Sequence, residues 1–438
     1  QLTDYFQTMR SQLRVLKDDA FVMGALTEFD RAFEAGGDRV DTAAWKAVAE
    51  KYDPRMKDIM KDNGWYDIFL IHTDGDIVYT VTREPDLGMV IPESKLRDEG
   101  IGKAFTAAQK AGADDIVFAD IAPYSPSGGK PAAFMMAKMQ DGTGVLKGYV
   151  AFQIPLNKIN AIMLRRDGMG KTGESYFVGA DNLMRSDSFL DKEGHSVDAS
   201  FKNNTKVDTQ AIREALAGKE GQNVIMDYNG NPVLSCWDAV DLGGGIRWAM
   251  MSEMDVAEAF SPVDKDGKEF FAKYKEMYGY YDLFLINPDG YAFYTVTKES
   301  DYQTNFVNGK YADSNLGKLV KKVIGSKSFG LADFAPYAPS NNEPCAFVAQ
   351  PVLHNGDVEL VVALQLSLEA INSIMQQRDG MGETGESYLI GSDKLMRSDS
   401  FLDSTNHSVK ASFADPKKGS VDTEGAKAAL NGKTEEKI

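Results

Sequence analysis

The sequence predicts an α+β protein, with antiparallel sheets and flanking helices set behind a long N-terminal helix. Three observations carry that expectation. The first 60 residues have helical hydrophobic periodicity, and the segments after them switch to period two and to β-rich runs broken by Gly, Pro and Asn. One stretch, RDGMGKTGESYFVGADNLMRSDSFLD at Arg166–Asp191, also returns as RDGMGETGESYLIGSDKLMRSDSFLD at Arg378–Asp403 with five letters changed.

The elements follow in order. Phe6, Met9, Leu13, Leu16, Ala20, Met23 and Leu26 recur every three or four residues, which makes one apolar stripe on a helix running from Gln1 to Phe33. Gly36-Gly37 ends it, and a second helix begins near Thr42 with Trp45, Val48, Ala49, Tyr52, Met56 and Ile59 on one side. WYDIFLIHTDGDIVYTVT (Trp65–Thr82) is a hairpin around Asp-Gly. A helix fills about Lys95–Ala111, three strands occupy Asp114–Pro155, and LNKINAIMLRR is a short helix ending near Asp167-Gly168. The result is a sheet of about five strands. A smaller module starts at Gly168: strand–turn–strand in ESYFVGADNLMRSD, a helix in TQAIREALAGKEG, a hairpin around Asn-Gly, and a closing strand in GIRWAMMSEM.

From residue 261 the same order is spelled again, so the chain reads as a tandem duplication with a period of roughly 213 residues. The expected domains are 1–167 (helices plus first larger module), 168–260 (first smaller module), 261–379 (second larger module) and 380–438 (second smaller module). The last breaks off at Ile438, near the position of Val224 in the first copy, and is expected to be incomplete.

The formal charge of −17 repels phosphate backbones, which argues against nucleic acid as a partner. Cys236 and Cys345 do not occupy matching positions, so neither a disulfide framework nor a zinc site is expected. No apolar run of about 20 residues occurs, and the chain reads as an excised part of something longer. GMGKTGES is a decoy for a phosphate loop: its glycines precede a strand, and Glu383 replaces Lys171 in the second copy. They make a turn between modules. His195 and His407, each four residues after Asp191 or Asp403, read as surface loop residues and not as metal ligands. Nothing nominates an enzyme, and no cofactor is expected.

YDIFLIHTDGDIVYTVT, ADFAPYAPSNNEPCAF, VALQLSLEAINSIMQQRDGMGETGESYLIGSDKLMRSDS and the pair REALAGKEG and DYNGNPVLS together resemble the extracytoplasmic sensor regions of bacterial methyl-accepting chemotaxis receptors of the double Cache type. The resemblance implies PAS-like modules stacked behind the long helix, and a periplasmic or extracellular region of a membrane-anchored parent. It also implies homodimer pairing through the N-terminal helix. A small metabolite (amine, amino acid or carboxylate) is the implied ligand. The same input domain also precedes histidine kinases and diguanylate cyclases, and a module that recognises a loaded binding protein is the rival reading. Amino-acid binders of the family carry Arg followed by Trp-Tyr, and an Asp just after Pro-Tyr. This chain has Arg83 without Trp-Tyr, and Pro126 where that Asp would stand.

A small-ligand pocket needs apolar walls and a few fixed polar groups. Tyr79, Tyr124 and Phe134 are the candidate walls in the first copy, with Tyr294, Tyr337 and Phe347 as counterparts; Asp120 and Asp333 are candidate partners for an ammonium group. Gln153 and Gln365 sit in otherwise apolar strands and need partners if buried.

Overall fold

The computed structural model describes residues 2–434. The chain divides into two compact units, Gln1–Asp255 and Val256–Ile438. Among the described residues no helix is long and apolar enough to cross a membrane.

Unit 1 opens with helices α1 (Leu2–Lys17), α2 (Ala20–Ala35) and α3 (Ala43–Asn63). The long helix expected over Gln1–Phe33 is therefore two helices; Gln1 itself lies outside the described residues. Asp19 causes the break. Its carboxylate accepts from Phe21 N–H at 2.8 Å and Val22 N–H at 3.1 Å, so it caps a new helix. The break resets the apolar stripe. Phe6, Met9, Leu13 and Leu16 are buried as expected, but Ala20 is exposed and Met23 half-buried, while Val22, Ala25 and Phe29 join Leu26 in the core.

Strands β1 (Asp67–Ile71) and β2 (Ile77–Thr80) form the expected hairpin, followed by helix α4 (Gly100–Lys110) and strands β3 (Ile116–Tyr124), β4 (Lys130–Gln140) and β5 (Leu146–Gln153). The sheet is antiparallel in the order β2-β1-β5-β4-β3. Alternation sorts its side chains. Ile68, Leu70, Met135, Ala137, Val150 and Phe152 pack into the core shared with α1–α3, whereas Phe69, Ile71, Phe134, Met136, Tyr149 and Ala151 pack with α4 on the other face. At the hairpin, Gly75 has φ 109°, and a Cβ there would lie 2.5 Å from Pro92 Cδ, so only glycine fits.

Helix α5 (Leu156–Met163) leads to strand β6 (Glu174–Val178), helices α6 (Lys192–His195), α7 (Val197–Asn203) and α8 (Gln210–Leu216), and strands β7 (Gly221–Met226), β8 (Pro232–Asp241) and β9 (Arg247–Asp255). These strands form a second sheet in the order β6-β9-β8-β7. The strand expected after GAD shrinks to one bridge, Val178 to Met184.

Unit 2 contains α9 (Val256–Phe260), α10 (Phe270–Tyr278), β10 (Tyr280–Ile286), β11 (Ala292–Thr295), α11 (Asn315–Ser326), β12 (Gly330–Tyr337), β13 (Glu343–His354), β14 (Asp357–Leu366) and α12 (Leu368–Met375). Its sheet has the order β11-β10-β14-β13-β12, and register shifts fall at matching places, Leu70/Ile71 with Leu285/Ile286 and Ala119/Ala122 with Ala332/Ala335. Helices α13 (Val409–Ala414), α14 (Pro416–Gly419) and α15 (Glu424–Leu430) end it. Glu386–Ile390 spells ESYLI, nearly the ESYFV of β6, yet forms no strand beyond a bridge from Ile390 to Met396. In unit 1 that segment pairs with β9, and the described residues of unit 2 contain no strand in the corresponding place.

Candidate functional site

The residues that the fold gathers at the end of each five-stranded sheet are polar and mostly acidic. In unit 1, Asp67 begins β1 fully buried. Its carboxylate accepts from Ile68 N–H at 2.7 Å, Val81 N–H at 2.9 Å, Thr82 N–H at 3.1 Å and the Thr82 hydroxyl, so it folds the chain leaving β2 back over the sheet. The loop then delivers Glu84 and Asp86. Glu84 accepts from Tyr66 Oη at 2.7 Å and from Ser127 Oγ at 2.6 Å, which ties this loop to the turn after β3. Asp86, fully buried, accepts from Tyr124 Oη at 2.7 Å through Oδ2. The Tyr124 ring meets Phe134 edge to face at 4.8 Å, and Phe134 stands opposite Gln153 across β4 and β5.

Two acceptors in this cluster have no hydrogen-bond partner in the protein: Asp86 Oδ1 and Gln153 Oε1. The N–H groups of Asp86 and Leu87 lie near enough to favour the Asp86 carboxylate, and that of Leu87 is bonded to Glu84 O at 3.1 Å. Burial raises the Asp86 pKa to about 6, against the pull of the Tyr124 hydrogen bond, with the Glu84 charge adding to the rise. Burial likewise raises Asp67 to about 7 despite its hydrogen bonds. A cleft of about 500 Å³ lined by Trp65, Tyr66, Ser127, Lys130 and Gln153 borders the cluster.

Unit 2 repeats this arrangement. Asp282 accepts from Leu283 N–H at 2.7 Å, Val296 N–H at 3.0 Å and Thr297 N–H at 3.1 Å. Glu299 accepts from Tyr281 Oη at 2.7 Å and Ser340 Oγ at 2.9 Å, and Asp301 from Tyr337 Oη at 2.6 Å. Asp301 Oδ1 and Gln365 Oε1 are again buried without a partner. Gln365 Nε2 reaches Ser340 Oγ at 3.3 Å and Cys345 Sγ at 3.1 Å, where unit 1 has Ala132 in place of the cysteine.

Of the residues chosen from sequence, Tyr124 and Phe134 share this cluster, as do Tyr337 and Phe347 at 4.9 Å. Tyr79, Asp120, Tyr294 and Asp333 are placed elsewhere, and the earlier grouping is corrected accordingly. Tyr79 joins the helical face, stacked on Phe29 at 4.4 Å with its hydroxyl on Asp53 at 2.9 Å; Tyr294 likewise bonds Glu269 at 2.6 Å. Asp120 turns outward at the β3 irregularity. It takes a two-pronged hydrogen bond from Arg185 at 3.0 and 2.8 Å and another from Trp248 Nε1 at 2.9 Å; Asp333 takes the same pair from Arg397 at 2.7 and 2.8 Å. Arg83 is bound to Asp53 and lies over Trp45 at 5.3 Å, away from the cluster. His195 is buried, not a surface loop residue: its ring packs on Tyr228 at 4.2 Å and Nδ1 meets Asp191 at 2.6 Å. His407 is half-buried, at 2.8 Å from Asp403. One group of metal-capable side chains, His72, Asp74 and Asp76, brings its donor atoms within 4.8 Å at the first hairpin. Sequence reasoning missed Glu84 and Asp86. Their signal was the acidic spacing in REPD, kept as KESD in the second copy.

Comparison with known proteins adds the following. The family model described as Cache domain matches residues 1–263. No curated protein matches. Among solved structures, an extracellular ligand binding receptor from Desulfohalobium retbaense is 14% identical over 58% of this chain and 39% of its own, with a TM-score of 0.32. The chain thus spans about two fifths of that receptor. The ligand binding domain of the Pseudomonas aeruginosa amino acid chemoreceptor PctB, in complex with L-Arg, is 14% identical over 59% of this chain and 98% of its own, with a TM-score of 0.33. A domain of a sensory box/GGDEF family protein from Vibrio parahaemolyticus is 11% identical over 57% and 91%, with a TM-score of 0.38.

Proposed function

From the premise that the chain belongs to the Cache domain family, we propose that it is the extracytoplasmic small-molecule sensing region of a membrane-anchored receptor. We read it as a duplicated pair of sensor modules without catalytic activity. One observation carries the reading: each five-stranded sheet ends in the same buried polar cluster, with a carboxylate oxygen and an amide oxygen left unpaired. An unpaired buried acceptor costs about 1–3 kcal/mol. A fold that keeps the same pair twice is supported by a ligand that satisfies it. Tyr124 and Phe134, with Tyr337 and Phe347 in unit 2, are the proposed aromatic walls.

On this reading two segments close over the site. The Glu84 loop and the turn carrying Ser127 meet over the cleft through hydrogen bonds of 2.7 and 2.6 Å. A ligand that binds the closed arrangement better shifts the population toward it, by no more than its differential affinity. The resemblance of the repeated segments to methyl-accepting chemotaxis receptors supports a parent of that kind, paired through its N-terminal helices. The test is a thermal-shift and calorimetry panel of amines, amino acids, carboxylates and purines on the purified chain. Saturable stabilisation by one class is the expected result; no response to any class would overturn direct sensing.

A further inference from the structure

Resting on that sensing reading, we propose that the cluster of each larger sheet takes an organic cation with N–H donors and no carboxylate, of the small primary-amine type. Asp86 and Gln153 hold it in unit 1, and Asp301 and Gln365 in unit 2. The unmet atoms themselves define the ligand. Asp86 Oδ1, Gln153 Oε1, Asp301 Oδ1 and Gln365 Oε1 are all acceptors, and all are buried. A group that completes them must donate, and an ammonium offers three donors and no acceptor.

Charge points the same way. Glu84, Asp86, Asp67 and Glu99 all act on the Tyr66–Tyr124 region, and none of the largest influences on Asp67, Asp86 or Tyr124 is an arginine or a lysine. The basic side chain lining the cleft, Lys130, is exposed, and its counterpart in the second copy is Glu343, paired with Lys410. Arg83, the one side chain suited to a ligand carboxylate by its place in the sequence, is held by Asp53 on the opposite face. Its counterpart is Lys298. A carboxylate entering this cluster would meet acceptors and negative charge, which costs far more than it returns. The edge-to-face ring pairs Tyr124–Phe134 and Tyr337–Phe347 lie beside the carboxylates, and aromatic rings next to a carboxylate suit a cation.

The experiment uses the purified chain, isothermal calorimetry and thermal shift, with propylamine, putrescine, propionate, L-alanine, KCl and CaCl₂ as probes. The expected result is saturable binding of propylamine or putrescine at two sites per chain, and none of propionate. Asp86→Asn and Asp301→Asn each remove one site, weakening it about tenfold or more, as loss of a charged hydrogen-bond partner implies. Asn still accepts from the Tyr124 or Tyr337 hydroxyl, and circular dichroism checks the fold. Should either variant fail to fold, the comparison of amine with propionate on the unsubstituted chain still decides. Binding of propionate or L-alanine without the amines, or of the metal ions alone, overturns this inference and leaves sensing intact. Amine binding unchanged in both variants overturns the placement. Silence across the wider panel of metabolites removes the sensing reading itself.

Discussion

A single residue shows how this fold trades solvation for shape. Asp67 is buried at the start of β1, where its carboxylate gathers the amides of residues 68, 81 and 82. Its pKa stands at about 7, and that of Asp282 at about 6, because burial outweighs those hydrogen bonds. The folded-state value lies above the unfolded one near 3.8, so between the two the folded chain holds a proton that the unfolded chain has released. Stability is therefore greatest at the acidic end of that window and falls as pH rises through it, by up to about 1.4 kcal/mol per pH unit for each such group. Thermal unfolding between pH 5 and 7 measures this, and Asp67→Asn is expected to flatten the slope. Tyr124→Phe tests the neighbouring bond. It removes the hydroxyl that Asp86 Oδ2 accepts from, so a loss of about 1–3 kcal/mol is expected by urea unfolding, and a loss near zero would mean that Asp86 is solvated or protonated.

At the scale of the element, β3 decides what the pocket contains. An unbroken strand would put Asp120 and Tyr124, four residues apart, on one face. The register shift between Ala119 and Ala122 breaks that parity, so Tyr124 faces the α4 side while Asp120 meets Arg185 and Trp248 of the smaller module. Alternating patterns and Pro-Gly turns made the five strands legible in the sequence. The irregularity was not legible, because it is set by pairing with β4 and leaves no local mark, and so Asp120 was misplaced. The Asp19 cap was overlooked for a related reason: the apolar spacing runs across it almost without interruption. The joint makes its own prediction. Arg185 is 2% exposed and holds Asp120 by two parallel bonds that a lysine cannot reproduce. Arg185→Lys should cost about 1–3 kcal/mol by chemical unfolding and admit protease between the two modules of unit 1. A neutral outcome would mean that Trp248 alone fixes Asp120.

At the scale of the molecule, the two units carry unequal shares of core. In unit 1, α1–α3 bury Phe6, Met9, Val22, Phe29, Trp45 and Met56 against the first sheet, and β6 is paired along its length with β9. In unit 2, neither α10 nor α12 has a buried residue, Met277 and Ile374 are 76% and 66% exposed, and the segment matching β6 leaves Tyr388 and Leu389 partly exposed without a strand partner. The matching strand order of the two five-stranded sheets was legible in the recurring letters, but this inequality was only partly so. The letters of α12 are as apolar as those of α5, and only the neighbouring layer determines whether they are covered. Apolar area removed from water stabilises by roughly 25 cal/mol per Å², so the unit that buries less should be the weaker one. Calorimetry of the whole chain is expected to resolve two transitions, with Val256–Ile438 melting first, and hydrogen exchange should show its amides opening at the lower free energy. An amine that fills both clusters should raise both transitions, whereas in Asp301→Asn it should raise only the upper one, by about RT ln(1 + [L]/Kd) in free energy. A single cooperative transition, or an upper transition that follows the Asp301 site, would show that the two copies share their stability and do not hold it separately.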